Sequence, residues 1–144
     1  MKKGKLIVID GTDGSGKATQ VALLAKRLKK EGYTVKLVDF PEYYKNFFGA
    51  FIGHCLKEQY YNWVNIHPKI ASIAYAADRF ESKEKIENWL TKGNVVIANR
   101  YVSANQIHQG GKIASAKKRD AYLKWLDEME YKVFKIPRPD LTLY

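Results

Sequence analysis

Lys5-Leu6-Ile7-Val8-Ile9-Asp10-Gly11-Thr12-Asp13-Gly14-Ser15-Gly16-Lys17 decides how the rest of the chain is read. Its first half is a short run rich in β-branched residues that ends at a glycine, which suits a parallel strand buried on both faces. The second half has the spacing glycine, four residues, glycine, lysine. Glycines in such a turn let backbone N–H groups curl around a polyphosphate, and the lysine reaches its outer phosphates. Gly11, Thr12, Asp13, Gly14, Ser15, Gly16, Lys17, Ala18 and Thr19 are the expected phosphate contacts. The usual residue after the lysine is Ser or Thr, whose hydroxyl binds a divalent cation. Here Ala18 stands in that place and Thr19 follows.

From Ala18 the period changes. Val21, Leu24, Ala25 and Leu28 recur at helical spacing, and Gly32 sits where a helix should stop. Thr34–Phe40 returns to strand character and Pro41 ends it. Strand, helix and strand in this order form a βαβ unit, whose crossover should be right-handed. Further on, Phe47, Phe48, Phe51, Ile52 and Leu56 space as a helix, and Pro68 opens another with Ile70, Ile73, Ala74 and Ala77 on one face. A helix carrying Ile86, Trp89 and Leu90 closes at Gly93, and Val95–Ala98 is a third buried strand. Residues 99–112 read as polar and irregular. Ala116–Tyr131 reads as a helix with Tyr122, Leu126 and Met129 on one side, and Leu141–Tyr144 begins a fourth, buried-type strand that is expected to leave an unpaired edge. This alternation predicts an α/β three-layer fold with a parallel sheet.

The 144 residues are 46% hydrophobic, 28% charged and 13% aromatic, which excludes wholesale disorder and fits one compact domain. The lone Cys55 can form neither an internal disulfide nor a thiolate metal site. The longest strongly apolar runs are far shorter than the ~20 residues of a membrane span, so no membrane association is expected and the reading is cytoplasmic. The net charge of +10 suits anionic partners, either nucleic acid or phosphorylated small molecules. Only five of the 25 cations are arginines, the better bidentate phosphate ligand.

The landmarks Asp10-Gly11-Thr12-Asp13-Gly14-Ser15-Gly16-Lys17-Ala18-Thr19-Gln20, Phe40-Pro41, Ala77-Asp78-Arg79, Asn99-Arg100-Tyr101, Asn105 to Gly110 and Pro139-Asp140-Leu141 follow one another in this order. Together they resemble the thymidylate kinases, P-loop enzymes that phosphorylate dTMP with ATP. The resemblance implies a P-loop NTPase fold, a cofactor set of ATP and Mg²⁺, and residues 1–144 as a single kinase domain. The family continues past the last strand into an arginine-bearing lid, so the domain is expected to be C-terminally incomplete and to turn over slowly or not at all by itself while still binding nucleotide. Gly14 adds to that expectation, because members with glycine there rely on the lid arginine.

The same resemblance implies roles for single residues. Lys17, Arg100 and Asp13 form the catalytic set: Lys17 holds the donor phosphates, Arg100 the dTMP phosphate, and Asp13 the 3′-hydroxyl, with an Asx-type turn as the alternative for Asp13. Tyr75 stacks on thymine or packs in the core. Arg79, one helical turn on, donates to a base carbonyl or pairs with Asp78 or Glu81. Asn105 contributes to base choice, while His108 and Gln109 line the sugar and base pocket. Phe40 and Tyr43 are expected beside the substrate, Tyr43 near a position that often carries a further arginine. Asn99 stands where the family usually has an aspartate near Mg²⁺, and its neutral oxygen is the metal candidate.

Phe47, Phe48, Phe51 and Ile52 with Ile70, Ile73 and Ala74 offer an apolar surface on which the family resemblance predicts a homodimer. The competing readings are a non-catalytic or incomplete nucleotide-binding fragment and a related nucleoside or nucleotide kinase. Nucleic-acid binding accounts for the lysines but not for the ordered motifs, so nucleic acid is not an expected partner.

Overall fold

A computed structural model describes residues 2–57, 59–60 and 62–144. Among these residues four strands, β1 (Lys5–Ile9), β2 (Val35–Asp39), β3 (Val95–Asn99) and β4 (Leu141–Leu143), make one parallel sheet in the order β2-β3-β1-β4. The helices among the described residues are α1 (Lys17–Lys30), α2 (Phe47–Leu56), α3 (Pro68–Glu81), α4 (Lys83–Thr91), α5 (Val102–His108) and α6 (Ala116–Asp127). A π-helix, Glu128–Val133, continues directly from α6. By their contacts the residues pack as two compact units, Met1–Asp39 with Ser82–Tyr101 and Pro137–Tyr144, and Phe40–Glu81 with Val102–Ile136.

The first unit holds the sheet. Side chains alternate across a strand, so Ile9, Val35, Val95 and Ile97 share a core with Val21 and Ala25 of α1. Leu6, Val8, Val96 and Ala98 occupy the alternate positions and are fully buried as well. Burial on both faces is why β1 and β3 read as continuous apolar runs rather than alternating ones. The chain moves two strands over from β1 to β2 and one strand back from β2 to β3. Right-handed crossovers therefore put α1 and α4 on opposite faces, giving the three layers. No helix is long and apolar enough to cross a membrane among the described residues.

The fourth strand leaves one edge unpaired, as expected: among the described residues β4 pairs with β1 alone. Its side chains differ from the buried-type reading, since Leu141 and Leu143 are nearly half exposed. Asp140 fastens its start: its carboxylate accepts the backbone N–H of Leu6 at 2.9 Å and the Lys5 ammonium at 2.9 Å. The Leu6 N–H is the main reason its pKa lies below the usual carboxylate range.

The second unit is helical. Ile52 and Cys55 of α2 pack with Trp63, Ala71 and Ala74. Asn46 caps α2 by accepting the Gly49 N–H at 2.6 Å, and Glu81 of α3 accepts the N–H groups of Phe47 and Phe48. Residues 99–112, expected to be irregular, contain α5 and a short 3-10 turn at Gly110–Lys112. Buried contacts of Val102 and Asn105 hold this seven-residue helix where its polar sequence shows no strong periodicity. The last helix also differs, because the turn after Asp127 widens to π geometry before the chain reaches Pro137.

Candidate active site

The loop Asp10–Lys17 leaves the carboxyl edge of β1, where open parallel sheets bind ligands. Gly14 and Gly16 sit at φ 75° and 87°, so a side chain at either would strain the turn. Gly16 precedes α1 without a side-chain cap, and no acidic residue occupies the first turn of that helix. Its N–H groups and dipole are therefore left for an external anion. Asp10 is buried and spends one carboxylate oxygen on the Gly11 N–H at 2.8 Å.

Ile9, Asn99 and Asp39 lie in register at this edge, and Arg100 follows immediately. Arg100 has φ 66°, an uncommon conformation for a side chain of its size, pinned by its N–H donating to the Ile9 carbonyl at 2.9 Å. That placement turns its guanidinium onto Asp13, with which it forms an ion pair. Lys17 reaches the same place from the other side. Its Nζ donates to the carbonyls of Gly11 at 2.9 Å and Thr12 at 2.7 Å, and stands 3.9 Å from the Asp13 carboxylate. Two cations thus converge on one exposed carboxylate, beside an open cleft of about 630 Å³ walled by the loop, Leu23 and Leu24 of α1, and Leu143.

Thr12, Ser15, Ala18 and Thr19 are all exposed along this loop and helix start. Asn99 keeps its Oδ1 buried without a hydrogen-bond partner. No group of three or more His, Cys, Asp or Glu suited to a metal exists among the described residues. Such a donor set fits a Mg²⁺ carried mainly by nucleotide phosphates, which needs only one or two protein oxygens, and not a cation caged by the protein.

The remaining predicted residues lie in the second unit. Phe40 is buried, Tyr43 is exposed, and Tyr75 is half-buried against the Ile52–Trp63 cluster, its hydroxyl accepting from Trp63 Nε1 at 3.1 Å. Asn105 is buried and donates through Nδ2 to the Ser72 carbonyl at 3.3 Å. Gln109 is buried with its Oε1 unpartnered, whereas His108 is exposed.

Arg79 is only 3% exposed, and besides its neighbour Asp78, whose pKa its charge lowers, it has a carboxylate partner from far along the chain. Asp78 accepts from Asn46 at 2.9 Å and from the Glu42 N–H, and burial still pushes its pKa up. Glu81 is spent on α2. Arg79 Nε donates to Glu130 in the π-helix at 2.6 Å. Burial pushes the Glu130 carboxyl above the usual range, with Arg79 opposing the shift.

Glu130 was not among the residues expected from sequence. The signal was there: Tyr122, Leu126, Met129 and Glu130 fall at i, i+4, i+7 and i+8, which puts a carboxylate on the apolar stripe. Tyr122, expected as a packing residue, also has a polar task. Its hydroxyl lies 2.7 Å from Ser72 Oγ and donates to the Asn105 carbonyl at 3.2 Å.

Comparison with known proteins agrees with the loop and the sheet. A family model described as Thymidylate kinase matches residues 9–144. A probable thymidylate kinase of Pyrococcus abyssi is 35% identical over 98% of this chain and 64% of its own length, and one from Pyrobaculum aerophilum is 30% identical over 95% and 62%. The thymidylate kinase of Caldanaerobacter subterraneus subsp. tengcongensis is 36% identical over 75% of this chain and 50% of its own. Among solved structures, a thymidylate kinase from Candida albicans superposes with a TM-score of 0.76 at 26% identity, covering 97% of this chain and 61% of that one. The chain therefore spans between half and two thirds of the length of these relatives. On the family model and the ordered sheet-and-loop framework alike, it belongs to the thymidylate kinase family.

Proposed function

We propose that this chain serves ATP-dependent phosphorylation of dTMP to dTDP, as the phosphate-handling part of a thymidylate kinase in a cytoplasmic setting. The observation that carries the reading is the convergence of Lys17 and Arg100 on Asp13 at the carboxyl edge of the sheet. Phosphoryl transfer asks little covalent chemistry of a protein; it asks for alignment and charge neutralisation. Lys17, released from the Gly11 and Thr12 carbonyls, would hold the donor phosphates against the loop N–H groups. Arg100 would take the acceptor phosphate in a bidentate grip, and Asp13 the sugar hydroxyl. The acceptor phosphate is already ionised near neutrality, so no strong general base is required. Asn99 and Thr19 are the candidate protein oxygens for a Mg²⁺ bound with the nucleotide, which would supply neutralisation of phosphate charge.

Base choice falls to Arg79 and Asn105, with Tyr75 as the stacking ring. Arginine and amide donors suit a ring carbonyl. A homodimer belongs to the same proposal. Of the apolar residues named for it, Ile52 and Ala74 are buried within the unit, while Phe47, Phe51, Ile70 and Ile73 on α2 and α3 remain substantially exposed. Light scattering tests that surface, and a clean monomer at micromolar concentration would count against it. The central test is coupled ADP release with dTMP, dUMP, thymidine and dCMP compared. Turnover with dTMP preferred supports the reading. Phosphorylation of thymidine in preference to dTMP would overturn it, and nucleotide binding without turnover would favour a non-catalytic or incomplete nucleotide-binding fragment.

A further inference from the structure

We propose that Glu130 is a positioning residue for acceptor base choice, locking the Arg79 guanidinium through Nε so that its donors point one way only. The inference rests on the dTMP reading above and adds to it a residue and a segment. Arg79 comes from α3 and Glu130 from the π-helix, 51 residues later, and both are almost completely buried, at 3% and 0% exposure. Their contact is 2.6 Å, short enough to fix the guanidinium plane.

Stability alone is a poor reason for such a pair. Burying two charges costs about as much as their attraction returns, and apolar residues of similar volume commonly do as well. The cost makes sense if the arginine has to be a cation held still. Backbone geometry points the same way: π-helical turns are rare in regular structure and frequent at functional sites, and this one contains Glu130.

A separate observation comes from the preceding helix. Tyr122 of α6 donates to the carbonyl of Asn105 and bonds Ser72, whose own carbonyl receives the Asn105 side chain. The two residues assigned to base recognition are thus each held by a buried polar side chain of the segment Ala116–Val133. A guanidinium can only donate. A ring carbonyl accepts from it, whereas an amino group at the same ring position donates and is rejected. Rejection requires that the guanidinium cannot swing aside, and a site with fixed, buried donors discriminates far more strongly than an adaptable one.

The test is titration of the full chain with dTMP, dCMP and ATP, comparing wild type, Glu130→Gln and Glu130→Asp, with thermal melting alongside. Glu130→Gln should cut the dTMP-to-dCMP preference by about tenfold, the scale of a charged hydrogen bond, and leave ATP affinity unchanged. Glu130→Asp should restore part of the preference. Equal weakening of both acceptors, or a preference retained while melting temperature falls, overturns the inference and leaves the dTMP reading standing. A wild type that binds both acceptors equally overturns the dTMP reading and the inference with it. Should Glu130→Gln not fold, the wild-type chain supplies the measurement: the ¹⁵N–¹H signal of Arg79 Nε should shift on dTMP and not on ATP. An Nε signal unmoved by saturating dTMP overturns the inference.

Discussion

Asp13→Asn separates two demands that the site makes on one carboxylate. In the unliganded chain Asp13 occupies the Arg100 guanidinium, yet its side chain is 90% exposed while that of Arg100 is 22% exposed. An ion pair so open to water contributes about 0–1 kcal/mol to stability, so the substitution should leave the melting temperature nearly unchanged. Binding is a different matter. Removing the charge frees Arg100, and the competing attraction it lifts is about 1 kcal/mol for charges ~4 Å apart in water. An acceptor phosphate should therefore gain about fivefold. Against that gain, on the dTMP reading proposed above, the 3′-hydroxyl would exchange a charged acceptor for the neutral amide oxygen of Asn, a loss of about 1 kcal/mol. The two effects nearly cancel, so dTMP should bind within about 1 kcal/mol of wild type. The 3′-deoxy analogue of dTMP has no hydroxyl to lose, so it should bind Asp13→Asn about fivefold tighter than wild type. Calorimetric titration of both proteins with both ligands decides it. Equal weakening of the two ligands would refute the reasoning, because Asp13 would then act only on loop geometry. Failure of the analogue to tighten would mean that the acceptor phosphate does not displace Asp13 from Arg100.

Gly49→Ala should destabilise the chain by about 2–3 kcal/mol in urea unfolding, although alanine favours a helix by ~1 kcal/mol. A Cβ there would stand 1.9 Å from the Glu42 carbonyl oxygen and 2.4 Å from the Asn46 oxygen that caps α2, so clash and cap loss outweigh propensity. Asp140 supplies a pH signature. Its folded pKa is depressed, so its stabilisation is present above the unfolded carboxylate pKa of ~3.9 and is lost as pH falls through the folded value. Asp140→Asn should cost about 1 kcal/mol near neutrality, discounted for partial exposure, and should flatten the fall of melting temperature below about pH 4. An acid limb as steep as that of the wild type would show that the contact to Leu6 contributes nothing. Ala18→Ser should lower the Mg²⁺ concentration needed for nucleotide binding, and an unchanged Mg²⁺ dependence would mean that water, Thr19 or a carboxylate such as Asp10 or Asp39 already completes the coordination.

Local chemistry made the first unit legible from sequence. The run Lys5–Ile9 could only be buried on both faces, the glycines at 14 and 16 could only serve a left-handed turn, and Lys17 follows at the spacing a phosphate loop requires. Each of these rests on residues close in the chain, where period and backbone preference leave few choices. Other features depended on what arrives from far away. An unpaired edge at the last strand was legible in the sequence, but not that β4 would lie beside β1, because strand order is set by crossovers and not by the strand itself. Nor did the polar stretch 99–112 announce α5, which persists because tertiary burial of Val102 and Asn105 offsets weak helical propensity. Arg79 shows the difference most clearly. Its helix and its neighbours at i−1 and i+2 suggested Asp78 or Glu81 as partners; Asp78 does feel the Arg79 charge, while both carboxylates also accept hydrogen bonds at the start of α2 and the loop before it. A further counter-charge comes from Glu130, and only packing of the π-helix against α3 could bring a carboxylate 51 residues away to a guanidinium so deeply buried.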